Sequence, residues 1–352
     1  MLTSVSTYSR ERTELLAAYR KLLQATQAIR QPDDIRLIRQ IMQEANDHPQ
    51  ESKDAANRIY SLMHSFEVAT IVVSEIGLGR TSVICALLYE TIQYSKLSIS
   101  RIEELFGSQV TVITGGLVKI AELYQKSNSV QNENFRKLLL TLAQDLRVVL
   151  VIIADRLNTM LRLSRFNLEA QHSISAEVGY LYAPMAHRMG LYGIKSEMED
   201  LVMKFTNRDV YSLIARKLNE TKKTRDKYIK EFIDPLKVML DKQGFKFEIK
   251  GRTKTIHSIY NKMKKSNVEF EQVYDLFAIR IILDCDIEQE KAECWRVYSL
   301  VTDKYQPNPS RLRDWISVPK SNGYESLHTT VFGSENKWVE VQIRTRRMDE
   351  VA

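Results

Sequence analysis

The sequence predicts two domains of different class, an all-α domain followed by an α/β domain with a mixed sheet. Three observations predict this. The chain has 352 residues, and at roughly 150 residues per domain it holds two, each able to bury its own core. Apolar residues keep a helical spacing through the first two hundred positions and change to period two after Gly244. Seven Pro and 12 Gly, beside 44% apolar and 27% charged residues, leave little room for low-complexity segments.

In the first helical segment Leu15, Leu16, Tyr19, Leu22 and Leu23 make one stripe. Further helices follow, with breaks expected at Gly77-Leu78-Gly79, at Gly115-Gly116 and at Gly190. Residues 1–200 are the expected all-α domain and 201–240 a basic helical linker. Residues 201–250 carry 13 Lys plus Arg against 7 Asp plus Glu and include the run Lys222-Lys223-Thr224-Arg225-Asp226-Lys227. Such a run is ordinarily the solvated face of a connecting helix, the alternative being a dedicated polyanion site. From 241 to 352 the α/β domain is expected. Phe245, Phe247 and Ile249 alternate with charged residues as far as Gly251, Ala278 to Leu283 reads as a buried strand, and Lys337 to Thr345 alternates cleanly. Helical patterns at Thr255 to Lys265 and Gln289 to Lys304 fall between them.

Fifty-one Lys plus Arg against 44 Asp plus Glu give a net charge of +7, which suits an anionic partner. Three cysteines, Cys85, Cys285 and Cys294, are an odd number without CxxC spacing. Neither a disulfide framework nor a thiolate zinc site is supported, and a reducing cytoplasm is the expectation. The N-terminal MLTSVSTYSRERTELL has charges where a signal peptide needs an apolar stretch, and no uncharged apolar run of 18 residues occurs. A soluble chain without membrane attachment is expected.

Several residues in the second half are equipped for chemistry. Alternation through residues 337–345 puts Val339, Val341 and Ile343 on one sheet face and Glu340, Gln342 and Arg344 on the other. The polar row is either a solvated surface or part of a site. In Ser317 to His328, turn formers present Asn322, Tyr324 and His328 within a few residues. Tyr324 there either stacks on a purine or packs the loop onto the core. Gly251 to Ser258 ends a strand and starts a helix, so Arg252, Lys254, Ser258 and, one turn later, Lys262 can face phosphate oxygens. The spacing is not that of a Walker A loop. Arg311 and Arg313 add a second cationic patch. Asp275 precedes the strand that holds Arg280, and Asp275 with Glu340 would make a two-carboxylate magnesium site if both reach one cavity.

These residues resemble the RelA/SpoT-type guanosine tetra- and pentaphosphate synthetases. The matching strings are GRTKTIHSIYNKM (251–263), YDLFAIRII (274–282), SRLRDWISVPKSNGYESLHTTV (310–331) and VEVQIRTRRMDEVA (339–352). The first half resembles the same family's helical HD-type hydrolase domain through HSFEVA (64–69) and ENFRKLLLTLAQDLRVVLVIIADRL (133–157). The resemblance implies a nucleotidyltransferase-like second domain, an alarmone synthetase of the stringent response. It implies transfer of pyrophosphate from ATP to the 3′-hydroxyl of GDP or GTP. By motif position, Asp275 and Glu340 are the magnesium carboxylates, with Glu340 also the candidate base. Arg252 and Arg280 would sandwich adenine, with Lys254, Ser258 and Lys262 on the ATP phosphates. Tyr324 would stack on guanine, with Asn322, His328 and Gln342 nearby and Lys320, Arg311 and Arg313 facing phosphates.

The helical half departs from the hydrolase pattern, in which a histidine, a His-Asp pair and a later aspartate hold Mn²⁺. His64 and Asp155 stand at the outer positions, but the pair reads Tyr89-Glu90, the acidic pair after it reads Gln93-Tyr94, and Asn158 replaces the histidine of ADRLHNM. Tyrosine is protonated at neutral pH and a poor Mn²⁺ ligand. A folded domain without hydrolase activity and without Mn²⁺ is expected, in a regulatory role. Arg311-Leu312-Arg313-Asp314 keeps the basic loop found in bifunctional members. A bifunctional synthetase/hydrolase and a guanine-nucleotide sensor without turnover stand as alternatives. The family continues beyond the last motif, so the chain is expected to stop ahead of the region through which members meet ribosomes and tRNA.

Overall fold

The computed structural model describes residues 2–47, 55–93, 98–126, 145–273, 276–320, 323–333 and 337–351. The chain divides into two compact units. One comprises Met1–Ala186 and Gly193–Val202, the other His187–Tyr192 and Met203–Ala352. Among the described residues, no helix is long and apolar enough to cross a membrane.

The first unit is helical. Helices Ala55–Ser74, Arg80–Gln93, Ser108–Lys126 and Leu146–Leu161 bury Val68 and Val72, Ile84 and Leu88, Ile113 and Leu117, and Val149, Ile152 and Ile153. The Asp145 carboxylate caps the helix Leu146–Leu161 by accepting the Arg147 backbone N–H. Gly77 and Gly190, with φ of 77° and 78°, occupy two of the expected breaks. The third is corrected: helix Ser108–Lys126 runs straight through Gly115-Gly116. A Cβ on Gly116 would lie 2.8 Å from Val148 Cγ2, so this glycine serves a close helix contact rather than a stop.

The second unit is built on a five-stranded mixed sheet of order β1-β2-β5-β4-β3. The strands are β1 (Phe247–Thr253), β2 (Phe277–Leu283), β3 (Arg313–Asp314), β4 (Leu327–Phe332) and β5 (Trp338–Thr345). β2 and β5 pair in parallel and the other neighbours antiparallel. One face of the sheet carries Ile279 and Ile281, Val339, Val341 and Ile343, and Leu327 and Val331. It packs on Phe232, Leu236 and Leu240 of helix Lys222–Lys242 and on Cys294, Val297 and Val301 of helix Glu290–Lys304. The basic run thus belongs to a helix with one apolar stripe on the sheet, while Lys222, Lys223, Lys227 and Lys230 stay exposed.

Two further corrections concern strands. β1 does not stop at Gly251 but runs on to Thr253, with Gly251 paired to Ile279. β4 starts inside the turn-rich Ser317 to His328 segment, at Leu327, and its Leu-His-Thr-Thr-Val-Phe run has both faces largely covered, which hides its alternation.

Candidate active site

The sheet face turned away from those two helices carries three rows of side chains. Arg252, Ala278, Glu340 and Thr330 form the first row, Lys250, Arg280, Gln342, His328 and Arg313 the second, and Glu248, Ile282 and Arg344 the third. The predicted alternation in β5 is therefore present, and strand pairing delivers Arg280 and His328 to the same surface as Glu340.

Glu340 is the electrostatic centre. Lys254 Nζ donates to its Oε2 at 3.1 Å and Gln342 Nε2 to its Oε1 at 2.8 Å, while His328 Nδ1 stands 3.7 Å from Oε1. Lys254 follows directly after β1, where its backbone N–H donates to the Leu276 carbonyl at 2.9 Å. Ala278, between the two strands, puts only a methyl group in the way. Burial works to raise the Glu340 pKa, but the Lys254 charge and the hydrogen bonds from Gln342 and Lys254 outweigh it and hold the carboxyl below its usual range. Burial depresses the His328 pKa, and Lys320, Arg344 and Arg280 add to this against the pull of Glu340. The imidazole is neutral and its Nε2 lies 2.8 Å from the Tyr324 hydroxyl; the ionised Glu340 facing Nδ1 favours the tautomer with its hydrogen there, in which Nε2 accepts from Tyr324.

Tyr324 reaches this place through a tight turn. Gly323 has φ of 77° and its N–H donates to the Lys320 carbonyl at 2.8 Å, a conformation natural to glycine. The Tyr324 ring meets the edges of Tyr192 and His328, with centroids 6.2 and 5.9 Å away. Lys320 Nζ lies 4.7 Å from its centroid and 4.8 Å from that of Trp315. Helix Ile256–Ser266 begins at Thr255, whose hydroxyl accepts the Ser258 N–H and donates to Ser258 Oγ at 2.9 Å. Lys262 follows one turn on. Arg311 and Arg313 are exposed, and Arg313 donates to the Ser310 and Leu312 carbonyls.

In the helical unit the candidate cluster is closed on itself. His64 Nε2 lies 2.7 Å from Asp155 Oδ1, and Asn158 Nδ2 lies 2.9 Å from His64 Nδ1. Burial works to raise the Asp155 pKa, yet the hydrogen bond and charge of His64 and the charge of Arg156 win and keep it below the usual range. An ionised Asp155 accepts only, so His64 Nε2 carries the hydrogen between them, and the Asn158 amide faces Nδ1. Both ring nitrogens are taken by side chains. Tyr89 is buried at 7% exposure, and the Glu90 side chain lies outside the described residues. Among the described residues, no group of three or more His, Cys, Asp or Glu side chains is placed to hold a metal ion.

Residues 251–352 match the model of the region found in RelA / SpoT proteins, and residues 34–192 match that of the HD domain. The chain is 38% identical over 295 residues to the GTP pyrophosphokinase of Myxococcus xanthus, covering 83% of this chain and 38% of that protein. It is 35% identical over 292 residues to the guanosine-3′,5′-bis(diphosphate) 3′-pyrophosphohydrolase of Aquifex aeolicus, covering 83% and 41%. To the bifunctional (p)ppGpp synthase/hydrolase SpoT of Escherichia coli it is 31% identical over 335 residues, 95% of this chain and 47% of SpoT. The chain belongs to the RelA/SpoT family. It spans 38% to 47% of the length of these relatives.

Against the sites implied by RelA/SpoT resemblance, the structure gathers Lys254, Arg280, Lys320, Tyr324, His328, Glu340 and Gln342 at one surface, with Arg252 in the first row of the same face. Asp275 and Asn322 lie outside the described residues. Gln342 fixes a Glu340 oxygen, and Ser258 is engaged in the helix cap. Two residues had no assigned role. Arg344 was visible in the alternation, but nothing in the sequence signals that it is only 1% exposed. Asp349, which accepts from both Arg280 and Arg344, stands inside the 339–352 string, but nothing in that string signals its two arginine partners.

Proposed function

We propose that this chain is a (p)ppGpp synthetase that transfers pyrophosphate from ATP to the 3′-hydroxyl of GDP or GTP, and that its helical half has no hydrolase activity. Residues 1–200 form the hydrolase-like domain and 241–352 the synthetase domain; 201–240 join them in sequence, and helix Lys222–Lys242 of that stretch packs on the synthetase sheet. The observation that carries the reading is the ionised Glu340, fixed by Lys254 and Gln342 on the sheet face that also presents Arg252, Arg280 and Tyr324.

Each group has a role in that reaction. Glu340 takes the proton from the 3′-hydroxyl as the oxygen attacks the β-phosphorus of ATP, the bond between the α and β phosphates breaks, and AMP leaves. Lys254, beside Glu340, neutralises phosphate charge, joined by Lys262 and Ser258 from helix Ile256–Ser266. Arg252 and Arg280 are diagonal neighbours on adjacent strands, roughly 7–8 Å apart at such positions, a separation that admits one aromatic plane between two guanidiniums. Tyr324, held by His328, stacks on guanine, and Lys320, Arg311 and Arg313 meet the acceptor's phosphates. Glu340 is a hard, ionised oxygen donor of the kind Mg²⁺ takes, and with Asp275 it would hold an ion that neutralises the triphosphate.

The closed His64–Asp155–Asn158 cluster supports a helical half without hydrolysis. The bifunctional name of the E. coli relative, and the hydrolase name of the Aquifex relative, favour the other reading, in which the helical half hydrolyses alarmone. One experiment separates them: labelled ATP with GDP and Mg²⁺, and in parallel alarmone with Mn²⁺, each repeated with Glu340→Gln. Expected are AMP and alarmone from the unmodified chain, a loss of about a hundredfold or more in the variant, and no consumption of alarmone. Alarmone loss with Mn²⁺ would establish the bifunctional enzyme, and nucleotide binding without turnover a sensor.

A further inference from the structure

Arg344 is the largest fully buried side chain among the described residues, at 1% exposure. A guanidinium so buried ordinarily brings its own carboxylate. Arg344 instead shares one: its Nη2 lies 2.5 Å from Asp349 Oδ1, and Arg280 Nη1 lies 3.0 Å from the same oxygen. Two cations on one carboxylate leave a positive excess, and among the described residues the buried Nε atoms of both arginines have no hydrogen-bond partner. Burial, followed by the neighbouring Arg280 charge, lowers the Arg344 pKa from its ordinary value. On its other side the Arg344 guanidinium carbon sits 5.8 Å from the Tyr324 ring centroid.

Asp349 itself is firmly placed. Its helix, Arg346–Val351, follows β5 without a loop. Met348 is 1% exposed, and Arg347 binds Glu290 and Glu325 at 2.5 and 2.8 Å. The carboxylate is thus a fixed point, with Arg280 and Arg344 arranged around it and Tyr324 resting on Arg344.

We propose that Arg344 and Asp349 form a buried anchor that positions both base-stacking side chains, Tyr324 and Arg280, so that the two nucleotide sites are indexed to one carboxylate. The inference rests on the nucleotide reading above. Arg344 and Asp349 are positioning residues: they act through Tyr324 and Arg280. Neutralising Asp349 leaves two like charges facing each other. Arg280, with a side chain 21% exposed, can turn away toward water, whereas Arg344, at 2%, cannot. The ATP side is therefore hit harder than the guanine side.

The test measures separate dissociation constants for α,β-methylene-ATP and for mant-GDP, with KM and kcat, in the full chain and in Asp349→Asn, Asp349→Glu and Arg344→Lys. Asp349→Asn is expected to weaken the ATP analogue about tenfold and mant-GDP about threefold, with KM rising more than kcat falls. Asp349→Glu restores most of both. Arg344→Lys keeps the charge and loses the fork, so it weakens mant-GDP more than the ATP analogue and gives an independent measure if the asparagine variant melts early. Unchanged affinities in Asp349→Asn, or weakening of one nucleotide alone, overturn the shared anchor while leaving the synthetase reading intact. An unmodified chain that binds neither nucleotide overturns both.

Discussion

Lys254 Nζ and Glu340 Oε2 lie 3.1 Å apart, with side chains 17% and 23% exposed, and this pair sets the charge state of the sheet surface. Replacing Lys254 by Met keeps the stem and removes the ammonium. The half-buried carboxylate then loses its main cation, and its pKa rises toward the protonated form. Urea unfolding at pH 7 should show a loss of about 1–3 kcal/mol, and alarmone synthesis should fall with it. A variant as stable and as active as the parent would mean that Gln342 alone holds Glu340.

His328 makes stability acid-sensitive. Its unfolded pKa is 6.5 and burial holds the folded value well below that. Between the two values the unfolded chain binds more protons than the folded one, so stability is fully present above pH 6.5 and is lost as pH falls. The slope for one proton is at most about 1.4 kcal/mol per pH unit. Melting between pH 7 and 5 should show this decline, and His328→Gln, which still accepts from Tyr324, should flatten it. Glu340 adds acid sensitivity in the same direction, but only below its unfolded value of 4.5. An unchanged slope in the variant would assign the decline to other groups.

Much of this arrangement was legible in the sequence because sheet faces are written in period two. The division of β5 into Val339, Val341 and Ile343 against Glu340, Gln342 and Arg344 follows from alternation alone, and the helices of the first unit from their apolar stripes. What stayed illegible is whatever depends on pairing between distant segments. β4 brings His328 beside Gln342, yet its covered faces give no alternating signal. Asp349 gains its meaning only when its helix returns over Arg280. Gly116 and Gly251 read as punctuation, whereas each serves the close approach of a packed helix, through Val148 to helix Ser108–Lys126 and through Ile229 to β1.

In the helical unit, His64 offers no free lone pair while Asn158 and Asp155 hold its two nitrogens. The melting temperature of the unmodified chain should therefore be the same with Mn²⁺ and with a chelator. Restoring imidazoles with the pair Tyr89→His and Asn158→His returns donors to the pocket. Mn²⁺ should then stabilise the fold by mass action, about 2.7 kcal/mol at a hundred times Kd. A Mn²⁺-dependent rise in the unmodified chain would show that the His64 cluster opens to bind metal.

Gly251 gives the sharpest test of how β1 meets its covering helix. A Cβ there would stand 2.8 Å from Ile229 Cγ2 and 3.6 Å from its Cδ1. The nearer atom is a branch at the β-carbon, which cannot swing aside without moving the helix backbone. Gly251→Ala should thus cost about 1–3 kcal/mol through overpacking. Ile229→Ala alone should also destabilise, because it removes apolar contact with the sheet core. Combined, the two should cost less than their sum by more than about 0.5 kcal/mol, since the alanine methyl enters space that the isoleucine vacates. Additive losses in urea unfolding would show that the strand shifts to accept the methyl group. Any such shift also moves the next residue, Arg252, and with it the first row of the site.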